Sequence, residues 1–283
     1  MHRATSQAAA RAHPPPAPRL PPPILRDELP STMDAARELA DTGVPANTLI
    51  LARRQTGGRG RFGHHWVSPP GGLYLSLILR PGLAEAPETL WRRFILPWLP
   101  LTAMIALRET VQPVLNDTDS RPQLDIKWPN DLYLEHCKLA GVLVEASIDA
   151  TRQPVAIVGM GLNIAALPAE SAKDIHGFPA TSLAEHGVSP LPEPVVIAEA
   201  WRRQFADWIV RLQSNPVQGF AALRHEVACH LAGLGMPVTI GGARGNRTVS
   251  GRLVGLGLGA EAILEDQEGK RIPVSDGHLV KWS

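Results

Sequence analysis

The stretch of sequence that decides the fold is residues 124–147, LDIKWPNDLYLEHCKLAGVLVEAS. It holds three short apolar segments, Leu124–Trp128, Leu132–Glu135 and Ala140–Ser147, which are separated by turn-forming residues. A fourth segment, Val155–Met160, follows after another polar break. Short apolar segments joined by tight turns are typical of an antiparallel meander. The sequence therefore predicts a sheet whose neighbouring strands run in opposite directions.

Helical patterns lie on either side of these strands. Apolar residues recur at helical spacing over Pro97–Leu115, Val195–Leu212 and Phe220–Leu231. Ser31, with Asp34 three residues further on, is typical of an N-cap and predicts a helix that starts there. Two further strands are predicted at Thr48–Ala52 and Leu73–Leu79.

The C-terminal part of the chain has a different pattern. After the break at Gly233–Gly235, residues 237–281 hold short strands and many glycines without a helical pattern, which predicts a small β barrel. We therefore predict an α+β fold, in which helices cover one face of a mixed, largely antiparallel sheet. The predicted organisation is a disordered Pro-rich tail at 1–23, a main domain at 24–232 and a β domain at 233–283.

Composition excludes several classes of protein. A net charge of +1 over 283 residues does not favour binding to nucleic acid or to a membrane surface. Cys137 and Cys229 offer neither a disulfide framework nor metal-ligand spacing, which fits a reducing compartment. The longest apolar stretch, Phe94–Leu107, is shorter than the roughly 20 residues of a membrane span. We expect a buried core helix there.

Residues 57–66, GGRGRFGHHW, form a glycine–arginine loop. Gly58–Gly63 matches G-x-G-x-x-G, but the following HHWVSPP cannot begin the helix that a dinucleotide site requires. No Gly-Lys-Ser/Thr follows, so a P-loop is excluded as well. A single copy in a nearly neutral chain disfavours an RNA-binding tract. Glycine amides together with Arg59 and Arg61 suit a phosphate or carboxylate, yet a plain surface loop stays equally open on this segment alone.

Several further motifs favour the functional interpretation. KWPNDLY is highly specific when K-L-A-G follows it, and the other motifs are moderately so. The motifs are PSTMD (30–34), QTGGRGRFGHHW (55–66), KWPNDLY (127–133), KLAGVLVE (138–145) and GMGLNI (159–164). In their order and spacing they resemble biotin protein ligases, and the resemblance extends from about Leu25 to the C-terminus.

The resemblance implies an activity and its partners. The family joins biotin to AMP from ATP with Mg²⁺, and then transfers biotin to a lysine of the biotin carboxyl carrier domain of acetyl-CoA carboxylase or a related carboxylase. It implies an SH3-like C-terminal barrel, a cytoplasmic location and docking of the carrier hairpin near the sheet edge, and it leaves a homodimer open. No motif binds a metal directly, so Mg²⁺ is expected to arrive with ATP, with Asp131 as a candidate ligand.

The resemblance also assigns roles to individual residues. The expected catalytic residues are Lys138, Arg61 and Arg59. The expected biotin-binding residues are Ser31, Thr32, Gln55, Gly58, Arg59, Arg61, Lys138, Gly141 and Gly161. The expected adenylate-binding residues are Arg61, Trp66, Asn130, Asp131, Lys138 and Asn163.

The sequence departs from the family pattern at two places. His64, followed by His65, stands where the family often has a basic residue, which lowers the charge of the loop. Some members carry an N-terminal helix-turn-helix, whereas only a Pro-rich segment precedes Leu25, so we predict no DNA binding. No membrane association is expected either.

Rival functions remain. A lipoate or octanoate ligase of the same fold is disfavoured, because a fatty chain needs no polar set such as Ser31, Thr32 and Gln55. A non-catalytic sensor of biotin or nucleotide stays open. Cys137 beside Lys138 suggests a thiol nucleophile, but adjacent strand residues point to opposite faces. A metal site at the two histidines has no partner at suitable spacing.

Overall fold

The computed structural model describes residues 20–80, 88–168, 178–242 and 248–282. Within these ranges the strands form a seven-stranded sheet, β1-β2-β3-β7-β6-β5-β4, and a five-stranded sheet, β11-β10-β9-β8-β12. The strands are β1 (Ile24–Leu29), β2 (Thr48–Gln55), β3 (Leu73–Leu79), β4 (Leu124–Lys127), β5 (Asp131–Leu134), β6 (Cys137–Ile148), β7 (Pro154–Leu162), β8 (Pro237–Gly241), β9 (Thr248–Leu256), β10 (Ala262–Glu265), β11 (Arg271–Val274) and β12 (His278–Trp282). The helices are α1 (Thr32–Asp41), α2 (Glu88–Leu90), α3 (Leu96–Asn116), α4 (Pro194–Ser214) and α5 (Pro216–Cys229).

The large sheet is mixed and largely antiparallel, as predicted. β1 and β2 pair in parallel, and the other neighbouring strands pair antiparallel, including the meander β4 to β7. β1 was not predicted, because its four middle residues are exposed and it lacks an apolar alternation. Most of the predicted tail, residues 1–19, lies outside the described residues.

Helices cover both faces of the large sheet, which corrects the prediction that they cover one. On β2, Leu49 and Leu51 face the core under α3, α4 and α5, whereas Ile50 faces a second core with Met33 and Ala36 of α1. Side chains alternate between the two faces of a strand, so one strand serves both cores. All seven residues of β3 are buried for the same reason, which explains its continuous run LYLSLIL.

The long apolar helix is a core helix, as predicted. A π-helical turn, Trp91–Ile95, joins α2 to α3, and the continuous helix Trp91–Asn116 is long and apolar enough to cross a membrane by length and composition. However, 61% of its most apolar window is buried inside the protein. The helix packs on α4, where the indole nitrogen of Trp201 donates to the carbonyl of Ala103 at 3.0 Å.

The C-terminal sheet is not the closed barrel that was predicted. Within the described residues, β11 pairs with β10 alone and β12 pairs with β8 alone, so the two end strands leave the sheet open. The sheet is attached to the main sheet by a shared hydrophobic core and by two indole hydrogen bonds. Trp98 donates to the carbonyl of Leu258 at 2.8 Å, and Trp128 donates to that of Ala260 at 2.9 Å. These contacts fix the C-terminal sheet beside the KWPND turn.

Candidate active site

One cavity lies where the N-terminus of α1, the glycine–arginine loop, the KWPND turn and the strands β6 and β7 meet. It encloses about 1310 Å³, including its open mouth. Its wall brings together all of the site residues expected from the sequence except Gly58, which is buried within the loop against Trp66 and Ser68. The expected residues on the wall are Ser31, Thr32, Gln55, Arg59, Arg61, Trp66, Asn130, Asp131, Lys138, Gly141, Gly161 and Asn163.

A hydrogen-bonded polar cluster occupies the part of the cavity next to α1. The Gln55 side-chain oxygen accepts from the amide and the hydroxyl of Thr32, at 2.8 and 3.1 Å. The Thr32 hydroxyl also accepts from Ser76 at 2.9 Å, and the Gln55 amide nitrogen donates to Ser68 at 3.0 Å. Ser31 caps α1 by accepting from the amide of Met33. The cluster is therefore a rigid set of donors and acceptors in an otherwise apolar slot.

The polar cluster includes residues that sequence reasoning missed. Ser76 is fully buried in the middle of β3, and Ser68 is buried two residues after the loop. A lone serine within the apolar run LYLSLIL was the available signal, because a buried hydroxyl needs a hydrogen-bond partner. β2 runs three residues past its predicted end, to Gln55, which brings that side chain to the cluster.

Lys138 and Asp131 form an ion pair inside the cavity. The ammonium lies 2.9 Å from a carboxylate oxygen of Asp131, and both side chains are mostly buried. The ammonium also lies 5.5 Å from the ring centroid of Trp66, within cation–π range. The neighbouring Cys137 is not on the cavity wall, and burial raises the pKa of its thiol. Of these two neighbouring residues, Lys138 lies on the cavity wall and Cys137 does not.

The KWPND turn is fixed to β6 and to the C-terminal sheet. The Asn130 side chain donates to the carbonyl of Val142 at 2.6 Å, and the Val142 amide donates back to the carbonyl of Asn130 at 2.9 Å. Trp128 is 2% exposed, so it is a core residue that also closes one side of the cavity. Lys127 is a further wall residue that was not predicted, and its ammonium lies 4.2 Å from the ring centroid of Phe178.

The glycine–arginine loop, residues 57–66, is held as a small hairpin, and we call it the lid. Gly60 donates to the carbonyl of His64, and Trp66 donates to that of Gly58. The turn between them passes through a left-handed residue, Phe62, with φ 58°. The lid is therefore tied down by its own backbone rather than forming a plain surface loop.

Each lid arginine contacts a carboxylate from another part of the chain. Arg59 donates through two nitrogens to the two oxygens of Asp34, both at 2.7 Å, and these bonds lower the pKa of that carboxyl. Arg61 reaches the C-terminal sheet, where it donates to Asp276 at 2.7 Å and to the carbonyl of Gly277 at 3.0 Å. Burial lowers the pKa of the Arg61 guanidinium, which still stays protonated. The sequence did not indicate that either carboxylate contacts a lid arginine.

Trp66 lies across the floor of the cavity. A Cβ at position 161 would lie 2.5 Å from the indole nitrogen, and one at position 141 would lie 3.3 Å from the ring. Gly141 and Gly161 therefore provide the space that the indole occupies. Asn163, also on the wall, donates its side-chain amide to the carbonyl of Thr181 at 2.9 Å, which fixes its orientation.

The described residues contain no cluster of three groups suited to a metal ion. His64 and His65 lie on the cavity wall. Asp131 is the one carboxylate among the described residues of the wall. One carboxylate fits Mg²⁺, which commonly takes one or two together with water and substrate phosphates.

The described fold and cavity define an acyl-ligase class of protein, and comparison with known proteins gives the same class. The model of the biotin/lipoate A/B protein ligase family matches residues 26–163. The biotin–[acetyl-CoA-carboxylase] ligase of Paracoccus denitrificans is 32% identical over 213 residues, covering 74% of this chain and 80% of that protein. The bifunctional ligase/repressor BirA of Bacillus subtilis is 29% identical over 265 residues, covering 90% and 73%.

The solved structures show the same likeness. Biotin protein ligase from Aquifex aeolicus, in complex with biotin and ATP, has a TM-score of 0.73 at 28% identity and covers 92% of this chain and 99% of that one. The chain belongs to the biotin protein ligases.

Proposed function

We propose that the protein activates biotin with ATP to form biotinyl-AMP, and then transfers biotin to a lysine of a carboxyl carrier domain. One observation supports this most directly. A single cavity holds a rigid polar cluster at Thr32 and Gln55 and a group of cations at Lys138, Arg59 and Arg61. The polar cluster suits the ureido ring of biotin, and the cations suit a carboxylate that attacks a phosphate.

The cations account for the activation step. Two anions, the biotin carboxylate and the α-phosphate, must approach each other, and negative charge builds up on the phosphate oxygens. Lys138 lies on the wall with its ammonium already oriented by Asp131, so no reorganisation is needed as that charge develops. A Mg²⁺ ion held by ATP and Asp131 would neutralise further phosphate charge when bound. The lid excludes water, which would otherwise hydrolyse the mixed anhydride.

The polar cluster favours biotin over a fatty acyl substrate. Its oxygens and nitrogens are buried or half-buried and are held in place by bonds to one another, as a site that recognises a polar ring requires. A ureido ring can bond to the donors and acceptors that these groups still offer, whereas an octanoyl chain cannot, and it would lose about 0.5–1.5 kcal/mol for each hydrogen bond not made. We therefore infer that lipoate and octanoate are poor substrates.

We propose that the acceptor is the carrier domain of a biotin-dependent carboxylase, and that it docks on an open edge of β6. β5 pairs with β6 only as far as Gly141, and within the described residues no strand covers that side of 143–148. Ala146, Ser147 and Ile148 are exposed there. An open strand edge beside the cavity is suited to pairing with a hairpin. Amide exchange over 143–148 should slow when apo carrier domain is added, while exchange in β9 stays unchanged.

The decisive assay follows pyrophosphate release from ATP with biotin, lipoate or octanoate as the acid. Of the three acids, we expect only biotin to cause pyrophosphate release. Pyrophosphate release with lipoate but not with biotin would contradict the proposal. Lys138→Ala should abolish adenylate formation in a protein that is still folded at the assay temperature, and it should also lower Tm because the mostly buried Asp131 loses its cation. The exposed Lys270→Ala is the matched control, and it should keep full activity.

A further inference from the structure

The lid and the C-terminal sheet are joined through Arg61, although 215 residues separate the partners along the chain. One terminal nitrogen of Arg61 donates to the Asp276 carboxylate, and the other donates to the carbonyl of Gly277. That second nitrogen also lies 3.5 Å from the side-chain oxygen of Asn130. Arg61 therefore lies where the lid, the KWPND turn and the C-terminal sheet meet, and its side chain is 24% exposed.

The turn that presents Asp276 is rigid. Gly277 has φ 140°, and a Cβ at that position would lie 2.5 Å from the carbonyl oxygen of Gly241 in β8. The Gly277 amide donates to a carboxylate oxygen of Asp276 at 2.8 Å. A close-packed glycine and a bond from its own amide thus fix the position of the carboxylate before any ligand binds.

This contact leaves Arg61 able to bind an anion. A guanidinium has five donor hydrogens in a fixed plane. The C-terminal sheet uses one hydrogen on each terminal nitrogen, so further donors remain for a phosphate oxygen. Arg61 is also on the wall of the main cavity. An arginine held in this way loses less side-chain freedom on binding a phosphate than an unrestrained one.

We propose that Asp276 is a positioning residue for the lid, and that the C-terminal sheet thereby stabilises the bound adenylate through Arg61. The inference rests on the proposed role of Arg61 in holding biotinyl-AMP. The open sheet is then part of the active site through one carboxylate and one carbonyl. Asp276 acts on the ligand only through Arg61.

Asp276→Asn tests the inference, because asparagine keeps the shape and the acceptor for the Gly277 amide but removes the charge. Biotinyl-AMP supplied to the full-length enzyme should dissociate about three- to tenfold faster, the loss expected when a charge-assisted hydrogen bond becomes a neutral one. KM for ATP should rise more than kcat falls, and Asp276→Glu should restore part of the retention. Asp276→Ser, which lacks the charge and is too short to replace the acceptor for Arg61, should show at least as large a change as Asp276→Asn.

Salt provides a readout that a purely structural role would not change. Asp276 is 58% exposed, so its attraction to Arg61 is screened by ions. The difference in dissociation rate between the wild type and Asp276→Asn should therefore shrink as NaCl is raised toward 1 M. Equal retention by the two proteins at low salt would overturn the inference.

A double-mutant cycle tests whether Asp276 acts through Arg61. In an Arg61→Gln background, Asp276→Asn should no longer alter the dissociation of supplied biotinyl-AMP, and an undiminished effect there would overturn the inference. The exposed Asp207→Asn on α4 is the matched control and should retain adenylate like the wild type. Biotin-dependent pyrophosphate release by the wild type is measured separately, so failure of the inference is distinct from failure of the proposed function.

Discussion

At the scale of single residues, Asp34 has two roles in the structure. It lies in the first turn of α1, where a carboxylate favours the helix N-terminus, and it binds both Arg37 and Arg59. Sequence reasoning identified the first role from the spacing after Ser31. It could not identify the second, because the partner Arg59 is brought to Asp34 by the fold of the lid.

We expect Asp34→Asn to loosen the lid, because Arg59 loses a bidentate carboxylate. Retention of biotinyl-AMP should fall by about three- to tenfold, in proportion to the lost charge-assisted bonds. Since the pKa of Asp34 is lowered in the folded protein, its contribution to stability is present above the ordinary value of 3.8 and is lost as pH falls through the lowered value. The Tm of the wild type and that of Asp34→Asn should therefore differ at pH 7 and converge in strong acid.

Gly161 is the second residue with a specific consequence. Gly161→Ala should lower biotin affinity at least about tenfold, because its Cβ would lie within 2.5 Å of the Trp66 indole and displace the ring from the cavity floor. Calorimetric titration with biotin gives the affinity. Adding Trp66→Ala should recover part of the loss, because it removes the clash, and no recovery would assign the defect to another cause.

Motif and resemblance predicted residues that the structure brings together on one cavity wall, with Gly58 as an exception, and their roles in binding and catalysis stay predictions. Ser76 and Lys127 escaped prediction for a physical reason. Ser76 joins the polar cluster because β3 lies between β2 and β7 in the sheet, and Lys127 lies on the wall at the end of β4. The contact of Asp276 with the lid was harder still to predict, because no local sequence pattern connects Asp276 to a loop near the N-terminus.

At the scale of secondary structure, strongly patterned elements were predicted well. β3 has its predicted bounds, and α3 differs from its prediction by one residue at each end. β1 was missed because strand pairing, not side-chain burial, holds an exposed charged edge in place. The prediction that the C-terminal strands close into a barrel was wrong, because the sequence indicates the strands but not whether the two end strands pair with each other.

The Arg80–Asp149 pair ties three elements together and should govern acid stability. Arg80 contacts the buried Asp149 at the β6–β7 turn, and it donates to the carbonyl of Ala40 in the last turn of α1 and to that of Val44 just after the helix. Hydrogen bonds from Arg80, Thr151 and Gln153 hold the pKa of Asp149 well below its usual range.

Asp149→Asn should lower Tm at pH 7, since it leaves Arg80 without its anion. The stability from Asp149 is present above the unfolded value of 3.8 and is lost as pH falls through the depressed value. The Tm difference between the two proteins should therefore narrow as pH drops below 4. A constant difference across that range would show that charge is not the cause.

At the scale of the whole molecule, two sheets that are far apart in sequence form one site. Trp98 and Trp128 both donate across the junction to carbonyls of the C-terminal sheet, but only Trp128 is on the cavity wall. Trp98 lies in an apolar stretch and Trp128 at the end of a predicted strand, and neither position indicates these acceptors, which lie 160 and 132 residues away.

This arrangement allows a paired test with Trp128→Phe and Trp98→Phe. Each leaves one carbonyl without its indole donor and should cost about 1–3 kcal/mol of unfolding free energy in urea. We expect only Trp128→Phe to speed the loss of biotinyl-AMP as well, because Trp128 also closes the cavity. Equal effects on adenylate retention would show that the junction acts through stability alone.

Trp66 has a consequence of another kind. Its indole nitrogen is buried and makes no hydrogen bond within the described part of the chain, and a lysine ammonium lies over its ring. Any molecule that enters the cavity must change the polarity around this ring and its distance from the cation. The protein therefore carries an intrinsic fluorophore at the floor of the cavity. The Trp66 emission, obtained as the difference between the wild type and Trp66→Phe, should report in real time and without a label whether the cavity is occupied.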